Sequence, residues 1–290
     1  DQKAYFPGTP RAPGGSSAGA GVSLAQGSAL LALGTDTAGS VRIPAALTGQ
    51  TALKITHGRW SLDGIVPLSP SLDTPGLLAR SIADLAFAFA AIDPQRPEVP
   101  ANGAVTGLRI GVIQNTVWDD IDPSIAENTR AALQMLEKSG ASLTQVTLAC
   151  VDEVLAIFRA GGLAAPELRA FLDRNFPERI ARLDPTVMAR VQAADDVSAA
   201  EYLQRAASLA HCGRKAAEVF DIVDVLVSPT VPITAIRVAA IACGAAAKRA
   251  ISLKSLLESR KVVLLKTCPV RSAASRSPSS SATDTSPPPL

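Results

Sequence analysis

The chain of 290 residues carries 28 Lys and Arg against 26 Asp and Glu, is 47% hydrophobic, and has four Cys and two His. This balance excludes a disulfide-stapled mini-domain, gives no whole-chain case for nucleic-acid binding, and describes a globular protein of one large or two small domains with ample core. The sparse Cys point to a reducing, cytoplasmic compartment, and no secretory signal or membrane span is visible.

Residues 1–13 predict an irregular lead-in, because Pro7, Gly8, Pro10 and Pro13 block regular structure. The uncharged run from Ala12 to Thr35 is long enough to cross a bilayer, but its repeated Gly and Ser make it a poor membrane helix and predict a buried, backbone-dense segment. Within it VSLAQ reads as a helix and ALLALG as a short strand; Pro44 opens another helical stretch, and TALKIT reads as a strand. The passage GRWSLDGIVPLSPSLDTPG predicts loop, since its Pro and Gly are spaced too evenly for a helix. Ser81-Ile82-Ala83-Asp84 resembles a capping start to a buried helix bearing Leu85, Phe87, Ala88, Ala91 and Ile92.

LRIGVI at 108–113 predicts a buried strand. Residues 123–139 predict an amphipathic helix with apolar Ile125, Ala131, Leu133, Met135 and Leu136, stopped by Gly140. SLTQVTL alternates like a strand, two or three helices fill 151–220, and DVLVSPT at 224–230 predicts a last strand. Alternating helices and strands imply an α/β fold with a mixed central β-sheet flanked by helices.

The stretch Pro13 to Pro44 carries the chemistry. GGSSAGAG alone would also suit a flexible linker, but GTDTAGS followed by VRIP does not. Thr37-Ala38-Gly39-Ser40 offers consecutive N–H groups with small side chains, suited to an anion-binding nest with Ser40 at its end. A hydroxyl nucleophile needs a base in hydrogen-bond reach and donors already aimed at the developing oxyanion.

PGGSS at 13–17, LGTDTAGSVRIPAA at 33–46, LK at 53–54, SLDTPGLLARSIADLA at 71–86 and DVLVSPT at 224–230 occur in the order found in the amidase signature family, which the chain resembles. Members are serine hydrolases that use a Ser–cis-Ser–Lys triad on linear amides. The resemblance implies that Ser40 is the acylating nucleophile and Ser16 the cis-Ser that relays its proton. It implies an oxyanion hole from the N–H groups of Thr37, Ala38, Gly39 and Ser40, hydrogen-bonding support from Ser17, and a buried Asp36–Arg42 ion pair bracing the loop. Gly15 before Ser16 removes one Cβ from the crowded cis bond.

Two departures qualify the resemblance. The family's catalytic Lys lies well upstream of the cis-Ser, whereas only Lys3 precedes Ser16 here, in the lead-in, and Lys54 matches a different family position; neither is nominated as the base. The catalytic Lys is thus expected to be absent and turnover impaired. After DVLVSPTVPIT the similarity is expected to stop near Ala235. Residues 237–290 hold nine Lys and Arg against two acids and no aromatic residue, while the first 236 hold 19 basic against 24 acidic residues. The boundaries expected are therefore a partial amidase-signature domain at 1–236, incomplete at both ends, and a poorly ordered basic Ser/Pro-rich tail at 237–290. The abrupt switch reads as a shifted reading frame or misplaced gene boundary rather than a basic appendage.

The expected function is hydrolysis of a linear carboxamide C–N bond through a Ser40 acyl-enzyme, with a small-molecule amide as substrate, no cofactor, no metal and no membrane. A homodimer is compatible with the sequence. The alternatives are the glutaminase subunit of a tRNA-dependent amidotransferase, the one case with a nucleic-acid partner, and a non-catalytic remnant acting as a binding protein or lacking function. Other constellations are weaker. His211 and Cys212 are neighbours on a helix and point to different faces, Cys150, Cys243 and Cys268 have no metal-ligand spacing with either His, and Asp119-Asp120 and Asp195-Asp196 read as turns or caps.

Overall fold

The computed structural model describes residues 10–95, 97 and 103–238. The expectations for residues 1–9, including Lys3, and for 239–290, including Cys243 and Cys268, lie outside the described residues. The α/β class expected from the sequence is present: eight α-helices and six strands alternate along the described chain.

The first half is built on an antiparallel sheet of order β1-β3-β2, with β1 at Leu31–Thr35, β2 at Thr51–Lys54 and β3 at Pro75–Ala79. The register places Ala32, Leu78 and Ala52 side by side, and Leu33, Leu77 and Leu53 in the next row. Because side chains alternate across a strand, these rows face opposite layers. On the Leu78 face lie α1 (Ala18–Gln26) and α2 (Arg42–Thr48), through Leu24, Val41 and Ala45. Against Leu77 and Ala79 lies α3 (Ile82–Ile92), through Leu85 and Ala88. Ser81 caps α3 by accepting the Asp84 N–H at 3.1 Å.

The second sheet is parallel, of order β5-β4-β6, from β4 (Arg109–Ile113), β5 (Ser142–Val146) and β6 (Val225–Val227). One face packs Ile110, Val112 and Val227 on Leu133 of α4 (Pro123–Lys138). The other packs Ile113, Val146 and Leu226 on α5 (Val151–Arg159) and α8 (Ala199–Ala217). Between these helices run α6 (Ala164–Asn175) and α7 (Pro185–Gln192).

Three local expectations are corrected. β3 falls at the end of the passage read as loop, yet all five of its residues are buried and it is the central strand. Its Pro75 is tolerated as the first strand residue, and Gly76 reflects a close approach, since a Cβ there would lie 2.9 Å from the Leu53 carbonyl oxygen. Phe87, Ile92 and Met135 are exposed rather than core, because Leu85 and Ala88 of α3, and Ile125, Thr129 and Leu133 of α4, already form the stripes that face their sheets. The 151–220 segment holds four α-helices rather than two or three, broken at Gly161-Gly162, Pro177 and Pro185 and restarted by the caps Asp184 and Ser198.

Arg237 and Val238, placed by sequence in the tail, are tied to the lead-in. Arg11 bridges Arg237 in antiparallel fashion, the Ala12 N–H donates to the Ile236 carbonyl at 2.8 Å, and the Val238 N–H donates to the Pro10 carbonyl at 2.9 Å. The segment leaving β6 thus holds the irregular lead-in to Ser16.

Candidate active site

The site is assembled on a bare patch of the first sheet. Gly34 and Gly76 face each other across the β1–β3 ladder. A Cβ at Gly34 would sit 2.5 Å from Ser17 Oγ and 3.0 Å from a Val41 methyl, and one at Gly76 would sit 3.1 Å from both Val41 methyls. The paired glycines therefore let the 16–17 segment and the turn at 36–42 lie directly on the sheet.

The two segments meet there. The peptide between Gly15 and Ser16 is cis. The Ala18 N–H donates to the Ser16 carbonyl at 2.8 Å, and the Ser17 N–H donates to the Ser40 carbonyl at 3.0 Å. Ser16 is exposed, while Ser17 and Ser40 are half-buried. The cis bond, the two serines beside it and Ser40 thus share one surface, at the mouth of the turn.

Asp36 organises that turn. It is 0% exposed and its carboxylate accepts from the N–H groups of Gly39 (2.7 Å), Val41 (3.2 Å) and Arg42 (3.3 Å). Arg42, itself buried, donates Nε to Oδ2 at 2.9 Å and Nη2 to Oδ1 at 2.8 Å, a bidentate pair. Lys54 Nζ lies 3.5 Å from Asp36 Oδ1 and donates to the Thr37 carbonyl at 3.5 Å. Burial alone would raise the Asp36 carboxyl; the hydrogen bonds and charge of Arg42, the charge of Lys54 and the Gly39 N–H overcome it and hold the group well below the usual carboxylate range.

Gly39 donates its N–H to Asp36 Oδ1 and so braces the turn from within. Its φ of +122° is a conformation that suits glycine, and a Cβ there would meet Ile43 at 2.7 Å.

Sequence reasoning missed the next layer. Thr37 donates its hydroxyl to Asp73, whose other oxygen accepts from the N–H groups of Leu68 (2.8 Å) and Ser69 (3.0 Å). Glu167 on α6 accepts from Ser69 Oγ (2.8 Å), the Ser71 N–H (3.1 Å) and the Tyr202 hydroxyl (2.8 Å) on α8. Burial first, and the Glu167 hydrogen bond second, raise the Tyr202 phenol. The available signal for Asp73 was its place in SLDTPG, just before a strand; Glu167 and Tyr202 gave none, being two polar residues among many on charged helices. The acid pairs are unremarkable: Asp195 meets Arg169 at 2.6 Å on the surface, and Asp119-Asp120 lies in a turn.

Comparison with known proteins adds the family. The Amidase family model matches residues 8–271, running past Ala235 where the similarity was expected to stop. The 2-amino-5-chloromuconic acid deaminase of Comamonas testosteroni is 58% identical over 231 residues, covering 79% of this chain and 50% of that protein. An amidase of Pseudomonas putida is 36% identical over 221 residues, covering 71% and 47%. A crystal structure of an amidase superposes with a TM-score of 0.71 at 28% identity, covering 79% of this chain and 51% of the other. The chain spans about half the length of the curated relatives it matches.

Proposed function

This chain belongs to the amidase family, and from that premise we propose that it carries the acylating half of a carbon–nitrogen hydrolase, with Ser40 as nucleophile and Ser16 as the group that relays its proton. The observation that carries this reading is the convergence of three features on one surface: the cis Gly15–Ser16 peptide, the Ser17 N–H held on the Ser40 carbonyl, and the turn locked from behind by Asp36.

In this mechanism Ser40 Oγ attacks the substrate carbonyl as its proton passes to Ser16 Oγ. The N–H groups of Thr37, Ala38 and Ser40 receive the oxyanion, Gly39 being engaged with Asp36. The C–N bond breaks, the nitrogen leaves protonated, and water then attacks the Ser40 ester by the reverse route. Ser17 supports the Ser16 segment, and Asp36 and Arg42 hold the turn without exchanging protons with the substrate. Ser16 in turn needs a base. Neither Lys3 nor Lys54 is nominated for that role; Lys54 lies in the brace, at Asp36 and the Thr37 carbonyl. A polypeptide of these 290 residues alone is therefore expected to be slow in both acylation and deacylation, while an activated fluorophosphonate, which demands less of the base, still reports Ser40. The acyl-enzyme route takes a small carboxamide; the amino-substituted acid named for the 58%-identical relative carries its nitrogen on a non-carbonyl carbon, so its deamination is a separate activity to be assayed beside the carboxamide.

The test is fluorophosphonate labelling beside ammonia release from a simple carboxamide and from 2-amino-5-chloromuconate. Labelling is expected at Ser40, lost in Ser40→Ala, and slowed about 10²- to 10⁴-fold in Ser16→Ala. Labelling that survives Ser40→Ala would sink the assignment. Ammonia release from glutamine only when a second subunit is added would move the chain to the amidotransferase reading.

A further inference from the structure

Away from the serine site, on the far face of the second sheet, two cysteines distant in sequence come together. Cys150 is the residue before α5 and has a φ of +62°, unusual for a side chain with a Cβ. Glu153 follows in the first turn of that helix, and the three-residue spacing puts both on one side of it. Cys212 comes from α8 and is 0% exposed, among Val151, Val154, Leu155, Val223 and Leu226. The sulfurs of Cys150 and Cys212 and a carboxylate oxygen of Glu153 all lie within 4.8 Å of one another, and Cys212 Sγ stands 3.6 Å from Glu153 Oε2.

We propose that Cys150, Glu153 and Cys212 form a binding site for a thiophilic divalent cation of the zinc type, tying the start of α5 to α8. A tetrahedral zinc about 2.3 Å from each sulfur and about 2.0–2.2 Å from a carboxylate oxygen requires its donors roughly 3.5–3.8 Å apart, which the Cys212–Glu153 separation already meets. Two sulfurs and one carboxylate are the soft, anionic set that such ions select. Glu153 is exposed, so the fourth position opens toward solvent on its side while the hydrophobic wall closes the other. Sequence spacing concealed the site: neither Cys has a second Cys or a His at ligand distance along the chain, and only the packing of α5 on α8 joins them.

A disulfide is the competing use of two adjacent thiols. The Glu153 carboxylate, 3.6 Å from Cys212 Sγ, is a third donor that a disulfide would leave unused and a cation would engage.

The experiment uses the full chain with Cys243→Ser and Cys268→Ser, purified under reductant and titrated with cadmium(II) alone. A sulfur-to-cadmium charge-transfer band is expected to grow to one equivalent. The thermal midpoint should rise by a few degrees at about a 100-fold excess over Kd. Cys150→Ser should abolish the band, and Glu153→Gln should keep the band while weakening binding at least about tenfold. Cys150 is half-buried, so its variant keeps the test open if Cys212→Ser fails to fold. A band no stronger than that of Cys150→Ser, or recovery of Cys150 and Cys212 joined as a disulfide, overturns the proposal.

Discussion

At the scale of single residues, the decisive group is a carboxylate that touches no substrate. Asp36 has no exposure and is neutralised by Arg42 and Lys54, so the turn bearing Ser40 depends on charges satisfied behind it. Breaking a buried pair costs more than the pair contributes, because the remaining charge stays in a poorly solvating place. Arg42→Ala is therefore expected to destabilise the protein by about 3–5 kcal/mol in urea unfolding, and Arg42→Lys to recover only part of it, since an ammonium cannot form the bidentate fork. Equal stability of Arg42→Ala and the parent would mean the pair is dispensable. Asp36 and Arg42 were legible because two opposite charges bracket a small-residue turn at short range. Asp73 and Lys54 were visible as letters, but their partners, Thr37 and Asp36, depend on how β2 and the loop before β3 fold back on the turn.

At the scale of elements, periodicity located most helices and strands, and failed where side-chain type was dictated by a neighbour. β3 carries Gly76 because Val41 and the Leu53 carbonyl of β2 press on it there, not because the segment is a loop. The helices of α5–α8 were legible as helical but not as separate rods. Their junction with the site was invisible, because among the described residues it runs through a carboxylate far along the chain: Glu167 joins the 69–71 loop to both α6 and α8. Removing it strands the hydroxyls of buried Ser69 and half-buried Tyr202 and the Ser71 N–H. Glu167→Ala is expected to cost about 1–3 kcal/mol and to speed amide exchange at Ser69 and Ser71 more than anywhere in the β5-β4-β6 sheet. Tyr202→Phe, which removes one of three donors, should do less. Coupling between the two variants in a double-mutant cycle of about 0.5 kcal/mol or more would locate them in one network; strict additivity would show that the loop is held by other contacts.

At the scale of the whole molecule, acid should undo the first half through carboxylates that are paired only in the folded state. Asp36 is one. Asp93, the residue ending α3, is another: it accepts Arg59 Nε (2.6 Å), Arg59 Nη2 (2.8 Å), Trp60 Nε1 (2.9 Å) and the Gln95 N–H (2.9 Å), and Trp60 stacks on Phe89 of the same helix at 6.1 Å. The Arg59 hydrogen bonds, against burial and with help from Trp60, hold its carboxyl well below the ordinary value of 3.8. Both groups have folded values lower than unfolded ones, so their stabilisation is complete above about 4 and is lost as pH falls from there through the folded values. Stability in urea should accordingly be level in this respect from pH 5 to 8 and fall below pH 4, with a slope reporting uptake of at least about two protons on unfolding. Asp93→Asn should lower stability at neutral pH and reduce that uptake by about one, because the variant no longer gains a proton when it unfolds. A stability that stays flat to pH 3 would mean that neither carboxylate is more acidic in the folded chain than in the unfolded one, and the buried Asp36 pair could then not be what holds the Ser40 turn.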